Sequence, residues 1–120
     1  MTTVIRGDYD PIDWVLPRGS DRVLQFRIME PVPSNDYADM SGHTVKFRAA
    51  RKGVVIERSL TSFGTYAGKS CVAAVILTRA ELRLLSQEPT PYELEDWFGG
   101  NQSTFAGGDL YGSGGVNPDA

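Results

Sequence analysis

The feature that most limits what this chain can fold into is a series of short segments in which apolar and polar residues alternate. Between Arg22 and Met29, the apolar residues Leu24, Phe26 and Ile28 fall on one side of an extended chain, and Gln25 and Arg27 fall on the other. Successive side chains of a β-strand point to opposite faces, so this segment predicts a strand with one buried and one solvated face.

More segments of this kind follow, each bounded by turn-forming residues. Residues 43–51 alternate with the same period, and Lys52-Gly53 predicts a tight turn that returns the chain into a paired strand at 54–60. The run from Cys71 to Leu77 is apolar throughout, which is typical of a strand covered on both faces or nearly so. Additional strands are predicted at residues 12–16, 92–97 and 103–111.

One segment departs from the alternating pattern and predicts a helix. Thr78 and Glu81 have the spacing of a capping box, in which each side chain accepts a hydrogen bond from the other's backbone N–H. We predict one short helix at about 79–86, and a parallel sheet would need several such crossover helices. The pattern therefore predicts an all-β fold, an antiparallel sandwich or barrel of six or seven strands.

The length of 120 residues fits one domain. We predict an N-terminal arm at residues 1–11, a β-domain at 12–112 and a flexible C-terminal tail at 113–120. The single cysteine, Cys71, has no partner for an internal disulfide, and its apolar neighbours predict a buried thiol.

The charge balance excludes some classes of partner. Twelve basic and fifteen acidic residues give a net charge of −3, and the basic residues are scattered along the chain. A nucleic-acid-binding protein would show a basic stripe, so we predict no nucleic-acid partner. No apolar run approaches the roughly 20 residues that cross a bilayer, and no signal-peptide pattern begins the chain, so we predict no membrane partner and synthesis in a cytoplasm.

The residue types that carry catalysis are sparse. A Ser/His/Asp triad or a histidine zinc site would have to use His43, the one histidine, and its place at the start of a strand is typical of a surface residue. Glu93 and Glu95 share one face of a strand at a spacing that glycoside hydrolysis allows. The alternative, which we favour, is that they lie on the solvated face opposite Arg or Lys of a neighbouring strand.

No cofactor or metal motif is complete. Asp8, Asp10 and Asp13 resemble part of a calcium loop but lack its glycine and its closing glutamate. The glycines near the C-terminus match no phosphate-binding motif and are more typical of a bulge or of close approach by another backbone, such as that of a neighbouring subunit. These glycines are Gly99, Gly100, Gly107, Gly108, Gly112, Gly114 and Gly115. We therefore predict no catalytic, cofactor-binding or metal-binding residue, no cofactor, and a protein that is not an enzyme.

The order of several short motifs resembles a known family. These are Asp-Met-Ser-Gly-His-Thr-Val-Lys-Phe-Arg-Ala-Ala-Arg at 39–51, Val-Val-Ile-Glu-Arg at 54–58, Thr-Arg-Ala-Glu-Leu at 78–82, Pro-Tyr-Glu-Leu-Glu at 91–95, and a glycine-rich stretch reaching Pro118. Over residues 12–117 this pattern is similar to the immunoglobulin-like domains of tailed bacteriophages, in particular the N-terminal domain family of phage baseplate upper proteins. Tyr92 resembles the tyrosine corner of such sandwiches.

The resemblance implies an immunoglobulin-like sandwich in a virion, made in the host cytoplasm and joined to other virion proteins. The implied role is a tail or baseplate component or adaptor that anchors fibres or neighbouring tail proteins, as a symmetric oligomer. A capsid cement or decoration protein is the alternative. A carbohydrate- or receptor-binding module is a third reading, in which exposed aromatic rings stack on sugars; its candidates are Trp14, Tyr37, Tyr66 and Trp97.

Overall fold

The structure, a computed structural model, describes residues 2–6, 10–31 and 33–114, which form ten strands and one short helix. The strands are β1 (Thr2–Ile5), β2 (Asp10–Pro11), β3 (Trp14–Pro17), β4 (Arg22–Ile28), β5 (Thr44–Arg51), β6 (Val54–Leu60), β7 (Gly64–Tyr66), β8 (Lys69–Leu77), β9 (Thr90–Phe98) and β10 (Asn101–Ser113). The helix α1 (Arg79–Leu82) lies between β8 and β9.

The strands form two sheets that pack face to face. Sheet A has the order β1-β4-β8-β7, and sheet B has the order β2-β10-β9-β5-β6, with β3 also paired to β10. In immunoglobulin lettering, β4, β8 and β7 take the places of strands B, E and D, while β5, β9 and β10 take those of C, F and G. The predicted all-β, immunoglobulin-like sandwich is therefore confirmed.

The core is built from the inward side chains that the alternating pattern predicted. Leu24 and Phe26 of sheet A and Val45 and Phe47 of sheet B are at most 1% exposed. Complete burial of such a side chain contributes about 1.5–3 kcal/mol, so the two inner faces supply most of the stabilisation. The predicted hairpin between β5 and β6 is also present, and Gly53 has the positive φ of +81° that its turn requires.

The number and direction of the strands differ from the prediction of six or seven antiparallel strands. Residues 2–5, placed in the arm by the sequence, form β1, which pairs in parallel with β4 and buries Ile5 completely. Strands β2 and β3 pair in parallel with β10. These pieces are too short to show a period, and the contacts that order them lie far away in sequence. Residues 1, 7–9 and 115–120, which belong to the predicted arm and tail, lie outside the described residues.

The predicted helix at 79–86 is shorter in the structure and ends at Leu82. Its capping box is present: the Glu81 N–H donates to Thr78 Oγ1 at 3.2 Å, and the Thr78 N–H donates to Glu81 Oε1 at 3.0 Å. After the cap residue Arg83 the chain turns, which buries Leu85 in the core.

The Glu81 carboxylate also accepts a hydrogen bond from Arg58 of β6. Partial burial opposes ionisation of Glu81, but the hydrogen bonds from Arg58 and Thr78 and the Arg58 charge outweigh it and hold the Glu81 pKa below its usual value. A pKa depressed by folding contributes stability above the unfolded-state pKa, and that contribution is lost as the pH falls through the folded-state pKa.

We therefore expect Glu81→Gln to be less stable than the natural protein at neutral pH, by about 1 kcal/mol or less. The difference should shrink as the pH is lowered, since the natural carboxyl then becomes neutral as well. Urea unfolding across this pH range measures the effect, with Glu57→Gln as the exposed control. A stability difference that stays constant down to about pH 3 would contradict the assignment.

Two polar contacts join the N-terminal segment, by which we mean residues 10–17, to β9 of sheet B. The Tyr92 hydroxyl donates to the Ile12 carbonyl at 2.7 Å and accepts from Trp14 Nε1 at 3.0 Å. A tyrosine corner bonds to backbone a few residues upstream, whereas Ile12 precedes Tyr92 by 80 residues, so the predicted corner is replaced by a long-range bond.

Two late glycines adjoin the backbone of this same chain. A Cβ at Gly108 would stand 2.0 Å from the Ile12 carbonyl oxygen, and one at Gly112 would stand 2.9 Å from the Leu85 carbonyl oxygen. At these two positions the close backbone that the glycines predict belongs to this chain and not to a neighbouring subunit.

Candidate interaction surfaces

The outer face of sheet B carries alternating charges. In the strand register Glu93 lies opposite Arg48 and Glu95 opposite Lys46, and Arg48 forms an ion pair with Glu57 at 3.0 Å. This is the solvated arrangement that we favoured over a glycosidase pair. The depression beside Glu93 and Glu95 is shallow and also contains Arg48, so the two carboxylates share it with a cation.

His43 is held in place by two neighbours. Its Nδ1 lies 2.8 and 3.1 Å from the two carboxylate oxygens of Asp96, and its ring stacks on Phe98 at 3.9 Å between centroids. An ionised carboxylate only accepts hydrogen bonds, so Nδ1 is the donor. Ser103 is also close, but it lies on β10 whereas His43 precedes β5, and Asp96 on β9 stands between these strands. Within residues 2–6, 10–31 and 33–114, His43 is hydrogen-bonded to Asp96 and to no serine hydroxyl, so the serine–histidine contact of a catalytic triad is not formed there.

Of the three aspartates that resemble part of a calcium loop, Asp13 is the one whose side chain the structure describes. Asp13 Oδ1 accepts a hydrogen bond from the Asp109 N–H at 2.9 Å and so fixes the N-terminal segment to β10. Asp8 lies outside the described residues. Among residues 2–6, 10–31 and 33–114, no group of three or more His, Cys, Asp or Glu side chains is placed to hold a metal ion.

The aromatic rings that were candidates for stacking on sugars are mostly buried or in contact with other protein groups. Trp14 is buried, and the Lys46 ammonium lies 3.8 Å from the centre of the Trp97 ring. Tyr66 meets Tyr37 edge to face at 5.0 Å and lies under the Arg27 guanidinium at 3.9 Å. These rings stack mainly on protein groups, which weakens the carbohydrate-binding reading.

A cavity of about 240 Å³ lies where β4, β9 and β10 meet the loop at 38–43, and we name it the end cavity. Its floor is apolar and buried, and consists of Ile28, Met29, Ala38, Met40 and Phe105. Carboxylates and His43 stand around it. No sequence motif indicates this site, because its walls come from four separate segments.

The sheet A outer face is of a different character. It consists of the outward side chains of the four strands, namely Thr2, Val4, Val23, Gln25, Arg27, Tyr66, Val72, Ala74 and Ile76. Val23 and Ile76 lie opposite each other and are 39% and 54% exposed. Thr65 and Ser70 extend this face, and its charged groups are Arg27 and, opposite Tyr66 at the edge, Lys69. The face is therefore a mainly uncharged, apolar surface in contact with solvent.

The sequence of strand β8 predicts burial on both faces, whereas the structure buries one face. The continuous apolar run at 71–77 predicts cover on both faces, or nearly so. Cys71, Ala73 and Val75 are buried as expected, which confirms the predicted buried thiol, but Ala74 and Ile76 on the outer side are exposed. The sequence of this strand is thus that of an interior strand, although one of its faces has no cover within the described chain.

No helix in the described ranges has the length and apolar character needed to cross a membrane.

Comparison with known proteins identifies the fold. No family model and no curated protein matches the sequence. Among solved structures, the chain is similar to the N-terminal domain of phage TP901-1 ORF48, with a TM-score of 0.57. The match covers 94% of this chain and 97% of that chain at 10% sequence identity. The resemblance to phage virion domains indicated by the sequence is therefore confirmed as a likeness of fold.

Proposed function

We propose that this protein is a structural component of a bacteriophage tail or baseplate that anchors a fibre or a neighbouring tail protein and catalyses no reaction. Support comes from a fold shared with the N-terminal domain of phage TP901-1 ORF48 over nearly the whole of both chains. Because fold alone does not fix function, the proposal also needs a surface suited to assembly.

The sheet A outer face is that surface, and strand β8 is the observation that carries the proposal. Its apolar run is suited to burial on both sides, yet Ile76 is 54% exposed. Exposed apolar patches on folded domains mark sites of protein–protein contact, and a partner on this face would supply the missing cover.

The chemistry of the face also indicates what kind of partner covers it. Arg27 is directed over the Tyr66 ring and Lys69 lies at the edge opposite Tyr66, so the centre of the face offers little charge to match. We infer that the partner is another virion protein that presents an uncharged, apolar surface. The charged outer face of sheet B is left to solvent.

We also propose that the folded unit begins at residue 2, since β1 completes sheet A and Ile5 is fully buried. Strand β1 thus contributes Thr2 and Val4 to the docking face, and it also adds to the core.

Replacing Ile76 with glutamate should reduce incorporation into particles about tenfold or more, because docking would bury an unpaired carboxylate. The isolated variant should fold normally, since an exposed substitution changes stability by about 0.5 kcal/mol or less. Val55→Glu is the matched control, because Val55 is also an exposed strand residue, at 59%, but lies in β6 of sheet B. Purified particles would be assayed by quantitative mass spectrometry against the major capsid protein.

Electron microscopy of particles carrying a bound antibody fragment tests the location. A tail or baseplate position supports the proposal, whereas a position over the capsid shell would favour the decoration role. Normal incorporation of the Ile76→Glu protein would reject the sheet A outer face as the docking site.

A further inference from the structure

The end cavity differs from the two depressions on sheet B in the sign of its charge. Glu30, Asp39 and Asp96 stand around it, and none of its described lining residues is Lys or Arg. The two depressions on sheet B, in contrast, each mix carboxylates with Arg48. The end cavity is therefore a concave site whose electrostatic field favours a cation.

Two of these carboxylates are held in place by neighbouring groups. Asp96 is oriented by His43, and Asp39 Oδ1 accepts a hydrogen bond from the Ser41 N–H at 3.0 Å. Hydrogen bonds from the Ser41 side chain and backbone hold the pKa of Asp39 below its usual value, so it is ionised at neutral pH. Lys69 acts on Asp39 from nearby but does not line the cavity. Fixed carboxylates lose little freedom when a cation binds.

The size and floor of the cavity limit what can occupy it. Its volume of about 240 Å³ corresponds to roughly eight water molecules and is smaller than the ~300–1,000 Å³ of typical small-molecule sites. The floor is apolar, and the flexible thioethers of Met29 and Met40 can adapt to an aliphatic chain. An occupant that fits both parts is a long side chain with an apolar stem and a cationic end.

We propose that the end cavity binds an arginine side chain of a neighbouring protein. A planar guanidinium accommodates two carboxylates at fixed angles better than a compact ammonium does, and its methylene stem suits the apolar floor. The His43 ring also lines the cavity, and its stack on Phe98 keeps the ring in place. That the arginine comes from a virion protein rests on the proposed function. Binding of an arginine side chain does not, and it can be measured on the isolated domain.

The test is an NMR titration of the ¹⁵N-labelled protein with Nα-acetyl-L-arginine amide. We expect saturable shifts centred on the amides of Met40, His43, Asp96 and Ser103. The citrulline analogue, which has the same length but no charge, should bind about fivefold or more weakly. Equal binding of the two compounds, or no saturable shift around the cavity, would overturn the proposal.

Variants assign the binding to the carboxylates. Asp96→Asn should weaken arginine binding about fivefold, but this variant also changes the contact with His43. Asp39→Asn, at an exposed loop position, leaves that contact in place and should weaken binding as well. Glu57→Gln removes the same charge from the outer face of sheet B and should leave the affinity unchanged. Unchanged affinity in Asp39→Asn and Asp96→Asn would overturn the proposal, and it would leave the incorporation result for Ile76→Glu unaffected, so the two ideas fail separately.

Discussion

Gly108→Ala should leave the protein largely unfolded or lower its unfolding free energy by more than about 3 kcal/mol. The added Cβ would stand 2.0 Å from the Ile12 carbonyl oxygen and 2.6 Å from its carbon, and 3.0 Å from Asp13 Oδ1. Overpacking usually costs about 1–3 kcal/mol when side chains can move, but here the obstacle is backbone. This loss is a large part of a typical domain stability of about 5–15 kcal/mol.

The obstacle at Gly108 cannot move without breaking other contacts. The Ile12 N–H donates to the Gly107 carbonyl at 2.7 Å, and Asp13 accepts from the Asp109 N–H. Relief of the clash would separate the N-terminal segment from β10. Gly19→Ala is the matched control, since nothing lies within 4 Å of a Cβ there, and it should change stability by about 0.5 kcal/mol or less.

Chemical unfolding followed by circular dichroism measures both glycine variants under the same conditions. A Gly108→Ala protein as stable as Gly19→Ala would show that β10 and the segment at residue 12 are not in contact, and the order of sheet B would then need revision.

The second large effect is expected for Tyr92→Phe, at about 3 kcal/mol. The substitution keeps the ring but removes the hydroxyl that joins the Ile12 carbonyl to Trp14 Nε1. Each buried polar group left without a partner costs about 1–3 kcal/mol, and the loss affects both groups. The Phe47 ring, stacked on Tyr92 at 5.5 Å, keeps its contact and should add little to the change.

Tyr66→Phe is the control for this variant, because Tyr66 is 39% exposed and keeps its ring under Arg27 when the hydroxyl is removed. Its stability should change by about 0.5 kcal/mol or less. Urea unfolding gives the comparison, and exchange of the Trp14 indole proton gives an independent reading, since exchange should accelerate only in Tyr92→Phe. A stability loss no greater than that of Tyr66→Phe would mean that the hydroxyl does not anchor the N-terminal segment.

Both predictions concern the same atom, the Ile12 carbonyl oxygen, which faces Gly108 on one side and accepts from Tyr92 on the other. Neighbouring substitutions that act on one group are not additive. The double variant should therefore lose less stability than the sum of the two single losses, because the first change already releases the segment that the second would disturb.

Short stretches of the sequence are enough to predict which side chains face inward and where the local turns and caps lie. Leu24, Phe26 and Ile28 are buried as their alternation predicts, and Lys52-Gly53 and the Thr78–Glu81 capping box occur where expected. These features depend on residues close in sequence. Side-chain direction in a strand repeats every two residues, and a capping box spans one helical turn, so short windows contain the information.

The tertiary structure alone decided which distant segments meet. It placed residues 2–5 in sheet A, ended the helix at Leu82, set Tyr92 against Ile12 and brought Asp96 to His43. It also showed that Ile76 lies on an open face, although its strand has the sequence of an interior one. Such pairings depend on how two sheets pack across long separations in sequence, and no local pattern records which partner a strand edge or a sheet face will find.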